Sequence, residues 1–211
     1  MKMQYKEYMD LFNGLNSKRD LERFKEQGYD ERLLETLVTQ KFSRMAMKNN
    51  HRVKGKEGVL LSRWNNGASF MEIGRRFEYP AFLCMMIILK ERGVDKKHFW
   101  DLVKDPDRIK DKRVRKEMME VLDDDMVYGP EALEKQKARG EWGEENLHMW
   151  LDGQGIEYYT EDDLLERGES TKTPDCLLKT PMMYQGHKIF WVESKAAFGD
   201  NKEFRTNSKK Q

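Results

Sequence analysis

Asp175, Glu193 and Lys195 are charged residues set at the ends of an otherwise apolar stretch, TPDCLLKTPMMYQGHKIFWVESK. Charges on apolar strands cost free energy unless something pairs with them. Residues two apart on a strand share a face at about 6–7 Å, so Glu193 and Lys195 point the same way. Asp175 opens the neighbouring strand and reaches the same end of a hairpin. Two carboxylates on adjacent strands can share one hard cation. Mg²⁺ would take oxygen ligands at about 2.0–2.1 Å, and Mn²⁺ is the natural substitute. Such a site suits phosphodiester hydrolysis: the metal acidifies a bound water and neutralises phosphate charge. The lysine would orient the attacking water or stabilise the charge that grows in the transition state. The plain alternative is that these charges sit harmlessly at strand ends.

A fourth carboxylate fits the same scheme. EWGEENLHMWLDGQG reads as an amphipathic helix with Leu147, Trp150 and Leu151 inward. Glu144 lies three, four and seven residues before Leu147, His148 and Leu151, so it shares their stripe. It could complete the metal shell, giving Asp175, Glu193 and Glu144 as metal ligands. It could equally be a favourable charge in a first helical turn, which Glu141 or Glu145 would serve as well. Ile156 to Tyr159, Cys176 to Leu178 and Lys188 to Val192 read as short strands, the last two joined by a Gln185-Gly186 turn. A second proline-aspartate pair, Pro106-Asp107, is followed by RIKDKRVRKEMM, which has no strand character.

The elements before this half read as helical. Leu21, Phe24, Leu33, Leu34, Leu37, Val38 and Phe42 recur at helical spacing around a Gly28-Tyr29-Asp30 turn. Ser69 caps a short helix with Phe70, Ile73 and Phe77 on its apolar face, and Tyr79-Pro80 starts a longer one that ends at Gly93. This is the outline of a helix-turn-helix, or else of an ordinary helical hairpin. Lys41, Arg44, Lys48, Arg52, Lys54, Lys56 and Arg63 face a single acid, Glu57, in their stretch. With Arg75 and Arg76 they are candidate nucleic-acid contacts, against the alternative of a solvated face. Asp123-Asp124-Asp125 is a helix-end or turn feature rather than a metal site, because neighbouring helical positions diverge. Tyr128-Gly129-Pro130 marks the domain boundary, giving a helical region at 1–127 and a second domain at 128–211.

The totals exclude little. In 211 residues, 36% are charged yet the net charge is only +1, so any basic partner surface must be local. Cys84 and Cys176 lack metal-ligand spacing and read as buried, reduced thiols. The N-terminus has no secretory pattern, and the longest apolar run, Ala81 to Leu89, is too short for a bilayer. The expectation is a soluble, cytoplasmic protein with no membrane partner.

KTPDCLL followed by HKIFWVESKAAFGD resembles the TPD domain of the codanin-interacting nuclease family, which belongs to the PD-(D/E)xK superfamily. The resemblance extends upstream through Tyr128-Gly129-Pro130, Gly140 and Glu144 to EIGRRFEYPAFLCMMIILKERG, which is similar to the family's helix-turn-helix. It implies an α/β (α+β) protein, a helix-turn-helix region followed by a restriction-endonuclease-like core. It also implies Asp175, Glu193 and Lys195 as the nuclease triad, with Glu144 as the helix carboxylate. Phe198-Gly199-Asp200 matches the family pattern without an evident chemical role. Family members continue past that motif into a helix and a further strand; Gln211 would open that helix, so the core is expected to be C-terminally incomplete. In a eukaryote the family implies a codanin-like partner and residence in nucleus and cytoplasm. The expected function is thus a Mg²⁺-dependent nuclease acting on DNA or RNA. The rivals are a non-catalytic DNA-binding or adaptor protein and a hydrolase of another phosphate ester.

Overall fold

The computed structural model describes residues 3–168, 173–195 and 199. Eight helices come first: α1 (Tyr5–Gly14), α2 (Lys18–Glu26), α3 (Glu31–Val53), α4 (Glu57–Asn65), α5 (Phe70–Phe77), α6 (Ala81–Glu91), α7 (Lys96–Lys104) and α8 (Lys112–Asp124). A 3-10 turn at Pro106–Arg108 separates the last two. There follow α9 (Pro130–Gly153), β1 (Tyr158–Thr160), α10 (Glu161–Glu166), β2 (Cys176–Tyr184) and β3 (His187–Val192). The protein is α+β, with a helical N-terminal part and one small antiparallel sheet. Its described residues divide into two compact units, 3–134 and 135–195, the division falling early in α9. The calls on Phe198, Asp200 and Gln211 lie outside the described residues.

Local chemistry explains the helical unit. Ser17 and Asp30 cap α2 and α3 by accepting backbone N–H bonds from Asp20 and Leu33. Ser69 and Glu72 form a reciprocal capping box on α5, and Gly93 ends α6 in the left-handed region at φ 88°. The three-aspartate run serves a turn. The Asp125 carboxylate accepts the N–H groups of Val127, Tyr128 and Gly129 at 3.1, 2.9 and 2.7 Å. Burial nevertheless raises its pKa.

Two clusters form this unit's interior. Tyr8, Leu11, Leu15, Leu34, Leu37, Val38 and Val127 join α1 and α3. The larger cluster is built from α4 to α8 around Trp64, Phe70, Phe82, Met85, Ile88 and Phe99. Within it, Glu117 is buried and accepts bonds from Trp64 Nε1 (2.8 Å), Phe70 N (3.2 Å) and Arg113 Nε (2.7 Å). One carboxylate thereby fixes the α4–α5 turn against α8.

Helix α6 is the central helix, packing against α4, α5, α7 and α8 with Phe82, Cys84, Met85, Ile88 and Leu89 buried. Its crossing with α5 is tight. A Cβ on Gly74 would sit 2.9 Å from Ala81 Cα and 3.0 Å from Tyr79 O. The connecting residue Glu78 adopts φ 49°, a strained choice for a non-glycine. Asn49 Nδ2 bonds to its carbonyl at 2.8 Å and Arg52 pairs with its carboxylate at 3.0 Å, both from α3.

The second unit is smaller. Its sheet has the order β1-β2-β3, antiparallel throughout. Leu151 of α9 packs on Cys176 and Leu178, with Leu147, Ile156, Tyr158, Met182, Ile189 and Val192 around them. Two expectations change here. Helix α9 begins at Pro130, eleven residues before Glu141, where the apolar pattern places its start. Strand β2 runs to Tyr184 instead of stopping near Leu178. Its register against β3 shifts between Leu177 and Met182, and this irregular stretch contains Pro181, which has no N–H to give a regular ladder. The hairpin turns at Gln185-Gly186, both at positive φ (48° and 82°), as a two-residue primed turn requires. Both cysteines are buried and free. No helix among the described residues is long and apolar enough to cross a membrane.

Candidate active site at the open end of the hairpin

Strand pairing brings the open ends of β2 and β3 side by side. Cys176 faces Val192 across the β2–β3 ladder; one residue further out, the same register sets Asp175 opposite Glu193. Thr160 faces Cys176 across β1–β2, and Glu161 follows it as the first residue of α10. Asp175 is held in place, since its Oδ2 accepts the Ser194 N–H at 2.6 Å. That bond leaves Oδ1 for another partner. Lys195 Nζ pairs with Glu193 Oε1, so the glutamate and lysine do share a face.

Glu144 joins this group from α9. Its pKa is raised, first by burial and then by the negative charges of Asp175, Glu161 and Glu141, while His148 opposes the shift. Because α9 begins at Pro130, Glu144 lies mid-helix and cannot be explained as a first-turn charge. The Cys176 thiol reports the same field: its pKa is pushed up to about 11, by burial and then by Asp175, Asp152 and Glu144. Glu161, which sequence reading did not single out, acts on Glu144 electrostatically. Its signal was the Thr160-to-Asp163 capping box, which starts a helix directly after β1 and so delivers position 161 to this end of the sheet. Thr173 Oγ1 donates to Glu161 Oε1 at 3.0 Å.

The donors are all carboxylate oxygens, the set preferred by a hard divalent cation. A cation there would offset the negative charge that Asp175 and Glu161 add to burial in raising the Glu144 pKa. Among the described residues, however, no three acidic, histidine or cysteine side chains converge as a ready metal cluster. Glu193 turns toward Lys195. It must release the ammonium to become a ligand.

The basic residues of the helical unit divide into two sets. Lys41 Nζ is spent on Asn13 O (3.0 Å) and Asn16 Oδ1 (2.7 Å), and burial lowers its pKa. Arg44 lies over Phe12 and donates to Tyr8 Oη, and Arg63 lies over Phe77. Arg52 is paired with Glu78. Lys48, Lys54, Lys56, Arg75 and Arg76 are exposed.

Residues 110–211 match the family model described as "Protein of unknown function TPD sequence-motif". The chain is similar to CDAN1-interacting nuclease 1 of Bos taurus, at 32% identity over 144 residues, covering 64% of this chain and 51% of the relative. The Homo sapiens protein of that name is 30% identical with the same coverage. The Gallus gallus one is 22% identical over 218 residues, 94% of this chain and 76% of the relative. The matched region spans about half the length of the first two. No solved structure matches the chain.

Proposed function

We propose that the chain is a metal-dependent nuclease of PD-(D/E)xK type whose reaction centre is the open end of the β2–β3 hairpin. The observation that carries this reading is the register-set opposition of Asp175 and Glu193, with Lys195 beside them and Glu144 electrostatically coupled to Asp175. The names of the relatives, which are nucleases, point the same way.

Asp175, Glu193 and Glu144 would hold Mg²⁺ or Mn²⁺. When bound, the cation supplies an acidified water and charge neutralisation at the phosphate. The protein's own contributions are positional. The Ser194 N–H fixes the Asp175 carboxylate through Oδ2, which leaves Oδ1 to serve as the ligand atom. Lys195, released from Glu193, presents an ammonium to the phosphate or to the nucleophile, where positive charge stabilises the developing oxyanion. Glu144, with its raised proton affinity, gains most from a neighbouring cation.

Nucleic acid would be held by the exposed cations Lys48, Lys54, Lys56, Arg75 and Arg76. Reading of a groove by α6, the second helix of the helix-turn-helix outline, is disfavoured by its burial at the centre of the bundle. A codanin-like protein partner is carried over from the relatives' printed name alone.

The test is cleavage of labelled single-stranded, duplex and branched DNA and RNA in Mg²⁺, in Mn²⁺ and in EDTA. The reading expects metal-dependent cutting that Glu193→Gln abolishes. Binding of the same substrates without any cutting would support the non-catalytic adaptor.

A further inference from the structure

The two strands that bracket the candidate centre also leave it. β1 pairs with β2 only at Cys176–Leu178, so β2 beyond Lys179 and β3 before Trp191 continue as a two-stranded arm, roughly 15–20 Å long at ~3.3 Å per residue. An unsupported ribbon is marginal in water, and natural edges are normally short or heavily charged. This one instead exposes Met183 (67%), Tyr184 (59%), Phe190 (51%) and Trp191 (39%). Exposed apolar surface of this extent marks an interaction site.

Its charge identifies the occupant. From Cys176 to Val192 there is no aspartate or glutamate, although the whole chain carries 38 in 211 residues. Lys179, Lys188 and His187 are exposed. Lys188 Nζ stands 5.3 Å from the Phe190 ring centre, whereas Lys179, at the base of the arm, pairs with Glu157 at 3.8 Å. Asp175 and Glu193 flank this segment at its open end. Alternation sets Met183, Lys188 and Phe190 on one face of the arm and Tyr184, His187 and Trp191 on the other, so each face carries an aromatic ring beside a basic side chain, a surface on which unpaired bases can stack next to their phosphates. A duplex keeps its base faces stacked and has nothing to lay on these rings. A peptide adding to the edge of β3 would bond to its backbone and would not need the rings.

We infer that the β2–β3 arm is a stacking platform for single-stranded nucleic acid, which feeds an unpaired segment to the cleavage centre at its base. This rests on the nuclease reading for the role of that centre, but binding by the arm is testable without it.

The experiment is fluorescence anisotropy of the full chain with a labelled single-stranded oligodeoxynucleotide and a blunt duplex of the same sequence, in EDTA so that nothing is cut. Wild type is expected to prefer the single strand. Phe190→Ala and Trp191→Ala should each weaken single-strand binding by roughly 5- to 150-fold, with duplex binding unchanged, and Trp191→Phe should restore most of the loss. Lys188→Gln, on an exposed position that folding does not need, should flatten the slope of log affinity against log salt by about 0.7. Unchanged single-strand affinity in these variants, or no binding by wild type, overturns the inference. Cleavage assays on the same proteins separate it from the nuclease reading. Arm-dependent binding without any cutting removes the nuclease and leaves the platform. Cutting of single strands that arm variants perform as well as wild type removes the platform and leaves the nuclease.

Discussion

The two units solve opposite problems. The helical unit buries sixteen residues in its main cluster and spends a carboxylate, Glu117, on holding a turn. The sheet unit fully buries only Leu151, Cys176 and Leu178 in its cluster, crowds acidic groups at one end of its strands and exposes aromatic rings along the rest. The Glu117 carboxylate is surrounded by donors, whereas the Glu144 carboxyl has its pKa raised by burial and then by neighbouring carboxylates.

The largest effects should fall on the sheet unit's chemistry and leave its fold alone. Asp175→Asn and Glu193→Gln are expected to cut the rate of cleavage by about 10²–10³-fold or more, with melting temperature and oligonucleotide affinity nearly unchanged. Parallel loss of affinity would make the hairpin end a binding surface only. The counterpart in the scaffold is Glu117→Ala, which strips partners from Trp64 Nε1 and the Phe70 N–H. It should destabilise the helical unit by about 3 kcal/mol, read from denaturant unfolding. A loss under 1 kcal/mol would mean the buried carboxylate is dispensable.

Smaller effects sharpen the division among the basic residues. Lys48→Gln and Lys54→Gln should each weaken duplex binding and reduce the salt slope by about 0.9. Lys41→Gln should leave the slope untouched, because its ammonium is already committed to Asn13 and Asn16. The smallest effect concerns Glu144. Its folded-state pKa lies above the ordinary value, so the native protein binds more protons than the unfolded chain in the window just above the usual glutamate pKa. Stability contributed by this group is present below that window and falls as pH rises through it. Glu144→Gln should remove that fall and raise the melting temperature at neutral pH by about 1–2 °C. Mg²⁺ should stabilise wild type more than the variant. A melting curve with the same pH dependence in both proteins would show that Glu144 feels no such field.

What the sequence discloses follows from how local each cause is. Ser69 with Glu72, and Gly93 after α6, announce helix ends within a few residues. The Gln185-Gly186 turn discloses the hairpin but not the pairing at its open end: the turn's own register would set Glu193 opposite Leu178, and the shift between Leu177 and Met182 brings Cys176 to Val192 instead. The start of α9 was hidden by Gly140 and Gly143, which look like breaks but are carried inside a helix of 24 residues. The length of β2 was hidden by Pro181, absorbed in the register shift. Counting positive charges could not tell Lys41, Arg44 and Arg63 from Lys48 and Lys54, because the partners that occupy the former, such as Tyr8, Phe12 and Asn13, come from distant parts of the chain.

The central claim is that the carboxylates at the open end of the hairpin form a divalent-cation site, and calorimetric titration of Mn²⁺ and Mg²⁺ into the purified chain tests it most directly. The account predicts saturable binding that is lost in Asp175→Asn and in Glu193→Gln, weakened in Glu144→Gln and unaffected by Lys48→Gln. Absence of binding in wild type, or equal binding in all four variants, would contradict it.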